Sequence, residues 1–161
     1  SKVVNDYMKE VLPKFNDKDY EVLYVTGNNY YDEFKNLKSK NVVIVPFVNN
    51  LKRVFKKTDV LVSRAGATTM SEIISFKVPS ILIPSPYVTD NHQYKNALNL
   101  VNKKSALLIE ESDIKEKLVD TIDSLIDDKE KINNIKNNLS MMDIKDSALK
   151  IYNLICEVVK R

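Results

Sequence analysis

Five short apolar runs, residues 20–26, 41–46, 60–63, 80–84 and 106–109, recur about every 20 residues, with amphipathic stretches between them. The stretches at 29–37, 51–57, 69–76 and 91–102 carry apolar side chains at three- and four-residue spacing, the period of one helix face. Alternation of this kind predicts an α/β fold, with a parallel sheet of about five strands and helices on both faces. Beyond Glu110 the pattern becomes helical only, over 113–126, 129–139 and 146–159, which predicts a C-terminal helical cap.

The first 15 residues read as an amphipathic helix through Val3, Val4, Tyr7, Met8, Val11 and Leu12. The chain therefore opens on a helix, where an α/β unit ordinarily opens on a strand. It also holds only two glycines, against an average near 7%. Together these suggest that a first strand and its glycine loop lie upstream of Ser1.

A chain of 161 residues supports one domain with a proper core, and 43% hydrophobic with 29% charged residues is ordinary for a globular protein. The net charge of +3 comes from 25 basic and 22 acidic residues with no basic run longer than two, which argues against a nucleic-acid partner. No apolar stretch approaches the roughly 18 residues of a membrane span, and no signal peptide is visible, so a cytoplasmic location is expected. Cys156 is the single cysteine and falls in an apolar helical pattern, as a buried, inert thiol would. His92 is the only histidine, which excludes a cysteine–histidine metal site.

The richest segment is 59–76, where an apolar run, Val60, Leu61 and Val62, passes through Gly66 into a helix opened by Ala67, Thr68 and Thr69. A parallel strand covered on both faces has this composition. The first amides of the helix have no partner within it, and its dipole puts partial positive charge at the turn, so a phosphate fits there. Two plainer readings stand beside this one. Thr69 and Glu72 have the spacing of a capping box, which needs no ligand, and a glycine after a strand commonly marks a tight turn. The cap and ligand roles are compatible.

Three motifs occur in order: Ser63-Arg64-Ala65-Gly66-Ala67-Thr68-Thr69-Met70-Ser71-Glu72-Ile73, then Val78-Pro79-Ser80-Ile81-Leu82-Ile83-Pro84, then Asp90-Asn91-His92-Gln93-Tyr94-Lys95-Asn96-Ala97. Together they resemble the C-terminal, donor-binding domain of the MurG family, bacterial UDP-N-acetylglucosamine transferases that make lipid II from lipid I in peptidoglycan synthesis. The resemblance is densest over residues 42–110. It implies one Rossmann-like half of a GT-B glycosyltransferase, an N-terminally truncated donor domain over 1–161, with the N-terminal acceptor domain and its proposed base absent. Such a chain would bind donor weakly and transfer nothing. The full enzyme would be peripheral on the cytoplasmic face of the inner membrane.

The resemblance also implies roles residue by residue. The Val48 backbone would face uracil. Ala67, Thr68 and Thr69 would face the diphosphate, with Met70 and Ser71 in the same substrate-binding stretch. Glu72 would hold the ribose hydroxyls, a task suited to a charged acceptor of two hydrogen bonds. His92 and Gln93 would contact the N-acetylglucosamine hydroxyls. Gly66 and Arg64 would support the turn, Arg64 by holding loop carbonyls or a neighbouring carboxylate. Tyr87, in the rigid Pro84-Ser85-Pro86-Tyr87 segment, either lines the cleft or packs locally.

No cofactor is expected. Asp17-Lys18-Asp19 imitates the Asp-x-Asp metal motif of other nucleotide-sugar transferases, but it precedes a strand and so falls at the sheet edge opposite the ligand. A helix terminus can support a leaving diphosphate without a cation. Two alternatives carry the same motifs: a separately encoded donor subunit docking on a membrane-bound partner, and a non-enzymatic nucleotide-sugar-binding module. The first would begin with its own strand and glycine loop. The second would bind donor well without any further domain.

Overall fold

The structure, a computed structural model, describes residues 1–142. The helix expected over 146–159 and Cys156 lie outside the described residues.

Helix α1 (Lys2–Val11) gives way to a 3-10 turn at Leu12–Phe15, because Pro13 has no amide to continue the α-helical ladder. Strand β1 (Val22–Val25) ends at Gly27, whose φ of 82° favours glycine. The helix expected over 29–37 is broken into 3-10 turns around a single α turn, α2 (Tyr31–Phe34). Then follow β2 (Val42–Val45), α3 (Leu51–Phe55), β3 (Leu61–Ser63), α4 (Ala67–Phe76), β4 (Ser80–Leu82), α5 (His92–Asn102), β5 (Leu107–Leu108), α6 (Ile114–Asp127) and α7 (Lys129–Met142). The strands are shorter than their apolar runs, although Thr26, Asn41, Ile83 and Ile109 towards the run ends still bond across the ladders.

All strand pairs are parallel, as the alternation requires. In place of one ladder there are two: β1 pairs with β2, and β3, β4 and β5 form a second sheet in that order. The bonds Val22 N–H to Asn41 O at 2.8 Å and Thr26 N–H to Val45 O at 3.1 Å turn the even-numbered residues of β1 toward β2. Strand periodicity then directs the backbone groups of Leu23 and Val25 to the other side. In β3, Leu61 N–H donates to Pro79 O and Ser63 O accepts from Ile83, both at 2.9 Å, so Val62 also faces away from its partner strand.

The first turn of α1 reaches the C-terminal ends of both β1 and β3. Asn5 Nδ2 donates to Thr26 O at 3.2 Å and Ser1 Oγ accepts from Arg64 at 2.9 Å. The buried Asn5 also accepts from Tyr24 Oη at 2.7 Å.

Burial differs from the expectation of strands covered on both faces. Only β4 is buried throughout, β3 is half-buried along its length, and Leu23, Val25 and Val43 stand exposed on the β1–β2 sheet. Around β4 the core gathers Ile73, Ile81, Leu82, Leu100, Ile114 and Leu118, all 1% exposed or less. Helix α6 packs on α1, and α7 packs on α4 and α6.

The end of α1 and the start of β1 are tied to α6 through Asp123. Its carboxylate accepts from Lys18 Nζ at 2.6 Å and Tyr20 Oη at 2.7 Å. Burial pushes the carboxyl upward, but these two hydrogen bonds and the lysine charge outweigh it and hold the group below its ordinary value. The Tyr20 hydroxyl is pushed well above its ordinary range, first by burial and then by the bond to Asp123.

Two predictions follow from these contacts. By amide hydrogen exchange, Leu23, Val25 and Val62 exchange faster than Val22, Thr26, Leu61 and Ile83, whose amides are bonded. Because its folded-state value is lowered, Asp123 contributes stability above the ordinary aspartate value of 3.8 and loses it as pH falls. Asp123→Asn therefore lowers Tm at pH 7 by roughly 2–4 °C, a deficit that closes in thermal melts only as pH falls below 3.8.

Candidate functional site

In α4 the N-cap is Gly66, and the first amide bonded within the helix is that of Met70, which donates to Gly66 O at 2.9 Å. The amides of Ala67, Thr68 and Thr69 therefore have no intrahelical acceptor, and no side chain caps them. Three N–H groups and the positive end of a ten-residue helix dipole meet at one exposed turn. The capping box does not form. Thr69 is the third residue of the helix and not its N-cap, so its hydroxyl and Glu72 are out of register for the reciprocal pair.

Gly66 also departs from expectation. Its φ is −69°, a value open to any residue, and a Cβ built there meets nothing within 4 Å. Neither a tight turn nor packing inside the chain requires glycine here.

Glu72 is half-buried one turn into α4. Ser71 is exposed, and its hydroxyl bonds back to Ala67 O at 3.2 Å, whereas Met70 turns into the hydrophobic core and offers no side chain to the turn. Val48 is half-buried on the loop after β2 and makes no hydrogen bond to these residues. Phe47 beside it is 64% exposed and Tyr87 is 81% exposed.

Helix α5 brings polar groups to the same end of the second sheet. It is entered through Asp90 and Asn91, both left-handed with φ of 53° and 52°, a region that short polar side chains tolerate. His92 Nδ1 lies 2.7 Å from Thr89 O. A carbonyl only accepts, so Nδ1 carries the proton and Nε2 is the free ring nitrogen. Gln93 Oε1 accepts from Ser85 N–H at 3.0 Å, which leaves its NH₂ group pointing onward. Asn96 Nδ2 donates to Ala65 O at 3.1 Å and so pins α5 to the β3–α4 turn.

Arg64 donates to Ile83 O at 3.2 Å and pairs with Glu111, which is buried. The Oγ of Ser63 is buried and has no hydrogen-bond partner among the described residues. Sequence reasoning missed Glu111, because two successive glutamates read as surface. It also passed over Asn96, although that residue stands in the third motif.

Asp17 and Asp19 lie with Lys18, Glu21 and Lys40 around a depression of about 400 Å³ before β1. Among the described residues no three His, Cys, Asp or Glu side chains gather to hold a metal ion. No helix among the described residues is long and apolar enough to cross a membrane.

The profile of the glycosyltransferase family 28 C-terminal domain matches residues 1–151. The chain belongs to this family.

Among its curated relatives is the Bacillus thuringiensis (strain Al Hakam) protein named UDP-N-acetylglucosamine--N-acetylmuramyl-(pentapeptide) pyrophosphoryl-undecaprenol N-acetylglucosamine transferase 2. It is 42% identical over 164 residues, covering 98% of this chain and 45% of the relative. A Listeria monocytogenes transferase of the same name is 37% identical, with the same coverage. The chain thus spans less than half the length of these relatives. Among solved structures, Acinetobacter baumannii MurG superposes with a TM-score of 0.81 at 17% identity, covering 98% of this chain and 46% of that one. The glycosyltransferase VinC, solved with dTDP, gives 0.69 at 20% identity, over 88% and 34%. At these identities the likeness is one of fold.

If Gly66 serves only to leave the amides open, Gly66→Ala leaves the family 28 domain's stability within about 1 kcal/mol of the parent in urea unfolding.

Proposed function

We propose that the chain is the donor-binding half of an inverting glycosyltransferase, holding UDP-N-acetylglucosamine for transfer to lipid I. The observation that carries this reading is the set of three unpartnered amides at the start of α4, in a family 28 domain. A diphosphate placed there meets N–H donors and the helix dipole together. Glu72 takes the ribose hydroxyls, and the Val48 backbone faces uracil. His92 Nε2 and the Gln93 NH₂ are the groups that the local hydrogen bonds leave available for sugar oxygens.

In the reaction, the muramyl 4-hydroxyl oxygen attacks the anomeric carbon from the face opposite UDP. The new C–O bond forms as the bond to the diphosphate breaks, and the hydroxyl proton passes to a base on the acceptor-binding half. Negative charge grows on the departing diphosphate, where fixed dipoles at the α4 start stabilise it without moving. The donor half supplies no base, so the isolated chain is expected to be inactive. The edges of β1 and β3 that are unpaired among the described residues support the expectation of a further parallel strand between them.

Titration of the chain with UDP-N-acetylglucosamine, followed by amide NMR, shifts resonances at 67–72 and 92–93, with smaller shifts for UDP-glucose. Glu72→Ala weakens binding roughly tenfold through loss of a charged acceptor. Absence of shifts at saturating ligand would refute the donor assignment.

A further inference from the structure

The guanidinium of Arg64 stands where four parts of the chain meet. Nη1 reaches Ile83 O just past β4, and Nη2 reaches Ser1 Oγ at the head of α1. Nη2 also pairs with the Glu111 carboxylate in the 3-10 turn after β5. The Glu111 side chain is 7% exposed and that of Arg64 is 22% exposed. A carboxylate so little hydrated persists only against a well-placed cation, and Arg64 is the cation paired with it.

Both halves of the candidate site begin within two residues of Arg64 or of the Ile83 carbonyl it holds. Arg64 leads directly through Ala65 to Gly66 and the three open amides. Ile83 leads through Pro84 to Ser85, whose amide is held by Gln93. The guanidinium is planar and its donors are fixed relative to one another, so its orientation governs how Arg64, past the last β3–β4 ladder bond, sits against the Ile83 carbonyl. The β3–β4 ladder ends with Ile83 N–H donating to Ser63 O at 2.9 Å, and the guanidinium bond to Ile83 O continues the link between the exits one residue further along β3. Glu111 sets the orientation, because it is the guanidinium's charged partner among the described residues.

We propose that Glu111 is a positioning residue for the donor site, acting through Arg64 to hold the start of α4 at a set distance from the Ser85 loop. The assignment rests on the donor reading above. Glu111 itself touches no ligand. Its removal leaves Arg64 free to swing toward solvent and lets the two loops drift apart, so that the α4 amides and the α5 polar groups no longer match one donor.

The test compares the parent chain with Glu111→Gln and Glu111→Asp by amide NMR, first without ligand and then in titration with UDP-N-acetylglucosamine. Glu111→Gln keeps the volume and loses the charge. It is expected to move ligand-free resonances at 65–69 and 83–85 more than those of α7, and to raise the donor Kd roughly tenfold, in line with loss of a charge-assisted bond. Glu111→Asp, which restores the charge on a shorter stem, is expected to recover part of both effects. A merely structural role would lower Tm and leave the resonances and Kd of the folded population unchanged. Should Glu111→Gln not fold, Arg64→Lys serves the same comparison, because a single ammonium cannot hold Ile83 O and the carboxylate in the same planar geometry. A parent that binds donor while the folded variants bind it within twofold overturns this assignment alone. A parent that binds no donor overturns the donor reading, and this assignment with it.

Discussion

A charge buried away from water has to find its partner, and in this domain that requirement joins distant parts of the chain at Arg64 and Glu111. The pair links the residue after β3 to the turn after β5, 47 positions along the chain. Through the same guanidinium it takes in the carbonyl after β4 and the head of α1. The elements it joins all present the same end of the parallel strands. Every loop that leaves a parallel strand at its C-terminal end opens on that side, where α/β proteins place their ligands.

The site is otherwise a product of backbone geometry. A strand that must stop at Ser63 and a helix that starts at Ala67 leave a turn too short to cover the helix terminus. With Gly66 as N-cap, no side chain competes for the free amides. Helix α5 then works in two directions. Gln93 and Asn96 use one polar group each to brace Ser85 and Ala65, and the Gln93 NH₂ and His92 Nε2 stay available. These intramolecular bonds order the α5 side chains in the absence of any ligand, so that part of the ordering cost is already met.

The periphery is held by different means. Asp123 gathers Lys18 and Tyr20 from the far end of the first sheet and secures α6 where it covers α1. This end carries acidic residues and a shallow depression, yet its charges face one another or water. It stabilises the layers that support the candidate site.

Much of this was legible in the residues alone. The alternation of apolar runs and amphipathic stretches determined parallel pairing, because side-chain period is a local property that survives any packing. The position of the uncapped helix start followed from a strand running through glycine into a helix. Which residue caps that helix did not follow: a capping box and a Gly66 cap differ by three residues in register, and helix starts are decided by the chain's path into them. Nor could spacing reveal that Met70 turns inward, that Glu111 is buried, or that the strands form two ladders. Those outcomes depend on which surfaces meet across tens of residues, and only the tertiary structure brings them together.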